Sequence, residues 1–256
     1  MRICLIAPHQ DDEIISSFGY LYSRNRKDEI KIIFATNGDY HGMETARARY
    51  YESVESLSLC GIPEEDIYYM GYADTGMRLS HSFLHRLYNL DEQHTLSSAH
   101  SDFTYHPAGK KTIHALLNGK EALYTKHNFI ADLSGILKCL SPDRIIMPSI
   151  YDQHGDHLAL SYFMKEHILS RWQKQAFCYL VHTDNDLIWP PRKCSDWTRP
   201  EIVPESCWNS RIRIPLYADV VEMKKQAILC FQSQKPASYH NFLLEFAKAE
   251  EFFLQA

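Results

Sequence analysis

The chain lacks several features that would mark a membrane, secreted or disulfide-bonded protein. No apolar run is long enough to span a bilayer. The N-terminus has no basic segment followed by an apolar stretch and a cleavage site, so we expect no signal peptide. The seven cysteines include no Cys-x-x-Cys pair, which is typical of reduced thiols. These absences predict a cytoplasmic protein, with Cys4 and Cys139 in its core.

The chain also has little net charge, −5 at neutral pH. Proteins that bind nucleic acids or anionic membranes usually carry a basic excess, so neither partner is expected. Hydrophobic residues make up 45 % of the 256 residues, which is enough for a substantial core. Because repeats and linker-like segments are also missing, we predict a single domain over residues 1–256.

Apolar runs of strand length alternate with helical patterns along much of the chain. This alternation predicts a Rossmann-like α/β fold, a mostly parallel sheet with helices on both faces. The first strand is not followed by Gly-x-Gly-x-x-Gly, which argues against the dinucleotide-binding version of this fold. We predict strands at 2–7, 30–35, 67–70, 144–147 and 177–182, and helices at 12–24, 44–59, 129–140, 157–171, 220–231 and 241–253.

Two long segments interrupt the alternation. Residues 74–127 are rich in histidine and polar side chains, and residues 183–210 contain Trp189, Trp197 and Trp208. Loops of this length often act as lids or binding loops, but they also cover sheet edges. Both interpretations stay open for the first segment, and edge coverage is favoured for the second.

Two polar clusters each follow a predicted strand. Residues 7–13 read Ala-Pro-His-Gln-Asp-Asp-Glu, and residues 152–157 read Asp-Gln-His-Gly-Asp-His. Either cluster alone would more often be a helix start or a capped turn. In a parallel sheet, however, ligands bind at the carboxyl ends of the strands. The two clusters are therefore predicted to form one site, and the other histidines of the chain are expected on the surface or in loops.

The residue types of the two clusters predict a divalent metal centre. His9 and Asp12 are three residues apart, and His157 would join them from the second cluster. Two imidazoles and one carboxylate leave a coordination position for water, as in catalytic zinc sites. Iron or cobalt would also accept this set of ligands.

The neighbours of the predicted ligands suit the hydrolysis of an amide. Asp11 lies beside a ligand without being one, so its carboxylate is the candidate general base. His154, as an imidazolium, would stabilise a tetrahedral oxyanion or protonate a leaving amine. Asp156 would hold His154 in one tautomer, as a carboxylate does for a catalytic histidine.

At these residues the sequence resembles the PIG-L/LmbE family of zinc-dependent N-deacetylases. The family motifs are Ala-His-Pro-Asp-Asp-Glu and His-Pro-Asp-His, and this chain has Gln10 and Gly155 where the family has proline. The resemblance extends to an Arg-x-x-Glu helix, a Thr-x-Gly-acidic strand end and the closing segments, at residues 36–39, 49–61, 74, 224–234 and 250–253.

The resemblance implies an LmbE-like fold and the same roles for the metal ligands, the base and the oxyanion group. It also implies that Arg49 and Asp74 bind sugar hydroxyls, although an ordinary ion pair remains an alternative for them. Family members remove acetyl from N-acetylglucosamine units linked to inositol, malate, other sugars or antibiotic scaffolds. A small-molecule or glycoconjugate substrate of this type is therefore expected.

Two other functions compete with a deacetylase. A carbohydrate-binding or regulatory protein would keep a structural metal without turnover, and the changes at Gln10 and Gly155 weakly allow it. A metal-dependent phosphohydrolase is disfavoured because a second full set of metal ligands is not evident. The group that carries the sugar, the physiological metal and the oligomeric state stay open at this stage.

Overall fold

The computed structural model describes residues 1–24, 27–171, 175–183, 190, 196–235 and 241–256. Its strands are β1 (Arg2–Ala7), β2 (Glu29–Thr36), β3 (Ile67–Tyr72), β4 (Thr95–Leu96), β5 (Tyr124–Thr125), β6 (Arg144–Pro148), β7 (Gln175–Tyr179), β8 (Ile212–Pro215) and β9 (Glu250–Gln255). Its α-helices are α1 (Asp12–Tyr22), α2 (Met43–Ser58), α3 (Phe83–Tyr88), α4 (Ile113–Asn118), α5 (Lys126–Leu140), α6 (Gly155–Phe163), α7 (Glu205–Asn209) and α8 (Ala218–Leu229). A π-helix at Met164–Ile168 and a 3-10 turn at Leu169–Arg171 continue α6.

Seven strands form one sheet in the order β3-β2-β1-β6-β7-β9-β8. The strands from β3 to β7 run parallel, and β9 pairs antiparallel with both β7 and β8. The predicted α/β fold is therefore confirmed. Because β1 and β6 are neighbours with Leu5 opposite Ile146, the two polar clusters begin side by side at one edge of the sheet.

Both faces of the sheet are covered. Ile6 and Ile33 belong to one apolar cluster, whereas Leu5 and Ile32 belong to the other. Successive strand residues point to opposite faces, so continuous apolar runs are the pattern of strands that are buried on both sides. This is why the parallel strands were recognisable from the sequence.

The predicted closing helix over 241–253 is wrong. The chain forms a 3-10 turn at Phe242–Phe246 and then strand β9. A short apolar run is compatible with either structure, and here pairing with β7 and β8 decides. Phe252 and Phe253 consequently pack into opposite clusters.

One further expectation from the sequence is wrong. Cys139 is exposed, although Cys4 is buried as predicted. His106 lies in a loop, one of the two places expected for it, but its side chain is buried against the rings of Tyr50 and Tyr69. Local sequence does not show which face of a helix or loop is covered by a segment that is distant in the chain.

The segment 74–127 covers one face of the sheet with α3, α4 and the β4–β5 pair. Phe83, Leu87 and Ile113 from this segment are buried in the core. In the second segment, Trp197 Nε1 donates a hydrogen bond of 2.7 Å to the carbonyl oxygen of Glu250, and Trp208 is buried. Trp189 lies outside the described residues. Among the described helices, none is long and apolar enough to cross a membrane.

A buried ion pair joins α8 to β9 and α1. Lys224 Nζ lies 2.7 Å from Glu251 Oε1 and donates to the carbonyl oxygen of Ile15 at 2.7 Å. The Glu251 carboxylate also accepts hydrogen bonds of 2.8 Å from the backbone N–H groups of Gly19 and Tyr20. Both side chains are almost completely buried, so neither charge has water as an alternative partner.

We expect Lys224→Met to lower the free energy of unfolding by about 3–5 kcal/mol, because it leaves the Glu251 carboxylate buried without its cation. Denaturant unfolding measures this change. Lys225→Met is the matched control, since Lys225 is exposed and its ion pair with Glu222 is worth less than about 1 kcal/mol. Equal unfolding midpoints for the two variants would contradict the prediction.

Candidate metal centre

The turn between β1 and α1 places the acidic side chains of Asp11, Asp12 and Glu13 at the carboxyl end of β1. The backbone of Asp11 has a φ angle of 118°, a conformation that residues other than glycine rarely adopt. Its N–H donates to Glu13 Oε2 at 2.9 Å, and its carbonyl oxygen accepts from the N–H groups of Ile14 and Ile15. These bonds hold Asp11 in place and start the helix at Asp12.

The three predicted metal ligands lie together. Asp12 Oδ2 is 3.4 Å from His9 Nδ1 and 3.1 Å from His157 Nε2, and all three side chains are buried. Ligand atoms on a tetrahedral zinc ion are separated by ~3.3 Å when the bonds are ~2.0 Å long. Both ring nitrogens of His157 also lack a hydrogen bond of good geometry among the described residues. The site therefore fits a divalent metal ion.

His154 is close to the same centre. Nitrogens of His9, His154 and His157 lie within 4.8 Å of one another. The His154 ring is 4.6 Å from the His9 ring and 5.0 Å from the His157 ring, measured between centroids. Asp12 Oδ2 contacts nitrogens of both His9 and His157, so the predicted set of ligands and the set of three histidines share these two rings.

The charges of these groups are strongly coupled. Burial raises the pKa of Asp12, but the His157 imidazole outweighs it, and the pKa lies well below the usual range. Burial lowers the pKa of His157, but the carboxylates of Asp12 and Asp152 raise it to about 10. Buried carboxylates in this arrangement favour a bound cation.

Asp11 and Arg49 contact each other beside the metal ligands. Arg49 Nη2 donates to the carbonyl oxygen of Gln10 at 2.6 Å and to Asp11 Oδ2 at 3.4 Å. Arg49 Nη1 lies 3.9 Å from Asp74 Oδ2. Burial raises the pKa of Asp11 to about 6, and the Arg49 guanidinium opposes this rise. Arg49, predicted to bind sugar together with Asp74, thus contacts both Asp74 and the candidate base.

The structure corrects the predicted roles of His154 and Asp156. His154 caps the N-terminus of α6, and its Nδ1 accepts the backbone N–H of Asp156 at 3.1 Å. A ring nitrogen that accepts carries no proton, so His154 offers Nε2–H as a neutral imidazole in this arrangement, not as an imidazolium.

The Asp156 carboxylate does not contact His154 as predicted but turns to the opposite side. One oxygen lies 3.1 Å from His9 Nε2, and the other accepts from the Ser82 hydroxyl and from the N–H of Leu84. The backbone N–H of Asp156 already donates to His154 Nδ1 at the start of α6. The Asp156 carboxylate instead accepts its hydrogen bonds from Ser82 and Leu84 at the start of α3.

One residue of the site had no role in the sequence analysis, and another was missed. Asp152, the first residue of the second cluster, is buried, and its Oδ2 lies 3.2 Å from His157 Nδ1. His182, expected only as a surface or loop residue, has its ring centroid 4.7 Å from that of His157 and 5.0 Å from that of His154. Its position after strand β7 was the only sequence feature that could have indicated it, because it marks a further strand end at the same edge.

Gln10 and Gly155, which stand where the family has proline, each make a contact that proline could not make. The Gln10 side chain is buried, and its Nε2 donates to the carbonyl oxygen of Thr36 at 3.0 Å. Gly155 N–H donates to the carbonyl oxygen of Met77 at 2.8 Å. A Cβ added at Gly155 would lie 2.3 Å from Ser82 Cβ, so the close approach of this segment requires glycine.

We expect Gly155→Pro, which restores the family residue, to lower the free energy of unfolding by about 2–4 kcal/mol. Proline removes the hydrogen bond to Met77 and forces Ser82 to shift. Gly155→Ala creates the steric conflict but keeps the N–H, so it is expected to cost less. Thermal or denaturant unfolding of both variants measures the difference. A proline variant as stable as the wild type would contradict the close approach of the segment.

The chain is similar to known proteins in sequence family and in fold. The family model described as PIG-L, GlcNAc-PI de-N-acetylase, matches residues 4–168, which include both clusters. No curated protein sequence matches significantly.

Several solved structures share the fold. A deacetylase of the teicoplanin biosynthetic pathway, solved as a triple mutant, aligns with a TM-score of 0.62 at 12 % identity, over 100 % of this chain and 97 % of that chain. N,N'-diacetylchitobiose deacetylase from Pyrococcus horikoshii aligns with a TM-score of 0.60 at 17 % identity, over 100 % and 83 %. The A40926 pseudoaglycone deacetylase aligns with a TM-score of 0.60 at 13 % identity, over 99 % and 96 %. At these identities the likeness is one of fold.

Proposed function

Because the chain belongs to the PIG-L family, we propose that it is a zinc-dependent N-deacetylase that hydrolyses the N-acetyl group of an N-acetylglucosamine-type substrate. The observation that carries the proposal is the meeting of Asp12 with His9 and His157 in a buried pocket beside Asp11. A metal site and an adjacent carboxylate that is not a ligand are the two parts that metal-assisted amide hydrolysis needs.

The roles of the metal ligands follow from their positions. His9, Asp12 and His157 would hold the ion. When bound, zinc supplies a Lewis acid for the acetamide carbonyl and lowers the pKa of water. Iron or cobalt would supply the same chemistry.

The remaining polar groups move protons and stabilise charge. The Asp11 carboxylate accepts the proton of the attacking water and returns it to the leaving amine nitrogen as the C–N bond breaks, and Arg49 keeps that carboxylate oriented. His154 donates Nε2–H toward the carbonyl oxygen, where negative charge develops as the amide carbon becomes tetrahedral. Asp156 acts through His9 rather than through His154.

We also propose that the protein works in the cytoplasm as a single domain on a small-molecule or glycoconjugate substrate. The described cysteines are all free, which suits a reducing compartment. Two of the similar structures are a deacetylase of the teicoplanin biosynthetic pathway and N,N'-diacetylchitobiose deacetylase. A substrate of the same chemical class is the natural starting point for assays.

Acetate release tests the function directly. Zinc-loaded protein is incubated with free, lipid-linked, nucleotide-linked and oligomeric N-acetylglucosamine compounds, and at least one is expected to lose acetate. Binding of such a compound without release of acetate by the zinc-loaded protein would instead support the carbohydrate-binding alternative with a structural metal.

We expect Asp74→Asn to raise KM about 5–100-fold with a smaller change in kcat. Asp74 is a buried carboxylate in the pocket, and a lost hydrogen bond between a charged group and a sugar hydroxyl costs about 1–3 kcal/mol. Steady-state kinetics on the best substrate measure the effect. Asp66→Asn, in an ion pair with Lys31 near the opposite end of β2 and β3, is the control. An unchanged KM would show that Asp74 does not bind the substrate and only forms an ion pair with Arg49.

A further inference from the structure

We propose that two buried carboxylates, Asp152 and Asp156, fix opposite tautomers of the two histidine ligands. His157 then offers Nε2 to the metal ion, and His9 offers Nδ1. The inference rests on the proposed metal site and adds the residues that orient its ligands. Neither aspartate is itself assigned as a ligand, so both are positioning residues.

The contact of Asp156 with His9 defines the first tautomer. Asp156 is completely buried, and its Oδ2 lies 3.1 Å from His9 Nε2. Its other oxygen accepts hydrogen bonds from Ser82 and Leu84, which hold the carboxylate still. An ionised carboxylate only accepts, so the proton at this contact belongs to His9 Nε2. A histidine that binds a metal ion must be neutral, so Nδ1, 3.4 Å from Asp12 Oδ2, is the nitrogen that gives up its proton and offers a lone pair to the ion.

Asp152 defines the second tautomer from the other side of the site. Its Oδ1 accepts the N–H of His154 at 3.0 Å, and its Oδ2 accepts the N–H groups of Val181 and His182 at 2.9 and 3.2 Å. Three backbone donors keep the carboxylate ionised and fixed in place. His157 Nδ1 lies 3.2 Å from the same Oδ2, an ion-pair contact. In the neutral ring that binds a metal ion, this contact keeps the proton on Nδ1 and leaves the lone pair on Nε2, 3.1 Å from Asp12 Oδ2.

Both assignments turn the metal-binding nitrogen of a histidine toward the same carboxylate, Asp12. The metal-facing nitrogens of His9 and His157 both contact the same Asp12 oxygen, and the opposite nitrogens both contact a carboxylate outside the set of ligands. A histidine in the wrong tautomer would point an N–H at the metal and could not bind it without losing that proton. Carboxylates that set a ligand tautomer in this way typically change metal affinity 10–100-fold when they are mutated.

The test combines zinc affinity with a direct measurement of the tautomers. Asp152→Asn and Asp156→Asn are compared with Asp132→Asn, which alters a buried His–Asp pair away from the site, where His114 Nδ1 lies 2.7 Å from Asp132 Oδ1. Competition with a chelator gives the zinc affinity, and ¹⁵N chemical shifts of the histidine rings give the tautomers.

We expect zinc affinity to fall about 10–100-fold in both site variants and to stay unchanged in Asp132→Asn. In the zinc-loaded wild type, one ligand ring is expected to bind through Nδ1 with a proton on Nε2, and the other through Nε2 with a proton on Nδ1. The Asp152 carboxylate also accepts backbone N–H groups, so Asp152→Asn could fail to fold. In that case the wild-type spectrum and the zinc affinity of Asp156→Asn test the inference.

Two results would overturn the inference while leaving the proposed function intact. One is a zinc-loaded, acetate-releasing wild type in which both rings bind through the same nitrogen. The other is wild-type zinc affinity in the folded site variants. A wild type that binds no zinc would overturn the proposed function and the inference together.

Discussion

Asp11→Asn is expected to lower kcat for acetate release about 10²–10⁴-fold while the protein still binds one zinc ion. The effect is large because an amide cannot take the proton of the attacking water, and general base catalysis typically contributes this factor. The metal should stay bound because Asp11 faces Arg49, while Asp12 faces the two histidines. Kinetics and metal analysis on the same preparation measure both quantities.

Asp66→Asn is the control for Asp11→Asn, since it makes the same chemical change in an ion pair outside the pocket. It should retain wild-type kcat and zinc content. Full activity in Asp11→Asn would remove Asp11 from the mechanism. Loss of zinc together with activity would show that Asp11 supports the metal and would leave its role as a base without support.

His157→Ala is expected to reduce zinc binding to background and acetate release by about 10³-fold or more. It removes one of three ligands and also leaves Asp12 and Asp152 facing each other in a buried pocket without the imidazole between them. Loss of the Lewis acid alone removes several kcal/mol of transition-state stabilisation, and each 1.36 kcal/mol corresponds to a factor of about ten. Metal analysis and acetate release measure the loss.

Chelation separates the loss of metal from damage to the fold. A chelator should inactivate the wild type and added zinc should restore it, whereas zinc should not restore His157→Ala. His114→Ala, which removes the histidine of the remote His–Asp pair, should keep zinc and activity. Turnover by His157→Ala at the wild-type rate would contradict the assignment of this ligand.

Much of the fold was predictable because its determinants are local. Strands β1, β2 and β6 are continuous apolar runs, and each is followed by turn or cluster residues that end it. The closing strand β9 was not predictable. Its sequence, Glu-Glu-Phe-Phe-Leu-Gln, has no alternation, and only pairing with strands β7 and β8 makes it extended.

The structure brings the three predicted metal ligands together, but the contacts of the groups around them were not predictable. His9, Asp12 and His157 carry metal chemistry in their side chains and follow strands that a parallel sheet brings together. Asp152 belongs to the second cluster but received no role, because its contact with His157 depends on side-chain direction. His182 has no motif of its own and enters the site because β7 lies beside β6. Asp156 was recognised as important, but its partner was wrong because its side-chain direction depends on α3, which docks on it through Ser82 and Leu84.

The sequence by itself determined the fold class, the meeting of two clusters at one sheet edge and the chemical types available there. These follow from apolar runs, strand ends and residue identities, which are local properties. Only the tertiary structure decided which carboxylate faces which ring nitrogen, and why Gly155 stands where the family has proline. Those contacts join residues as far apart as His9 and Asp156, which are separated by 147 positions. Their geometry depends on side-chain directions that are settled only when the sheet and its covering segments pack.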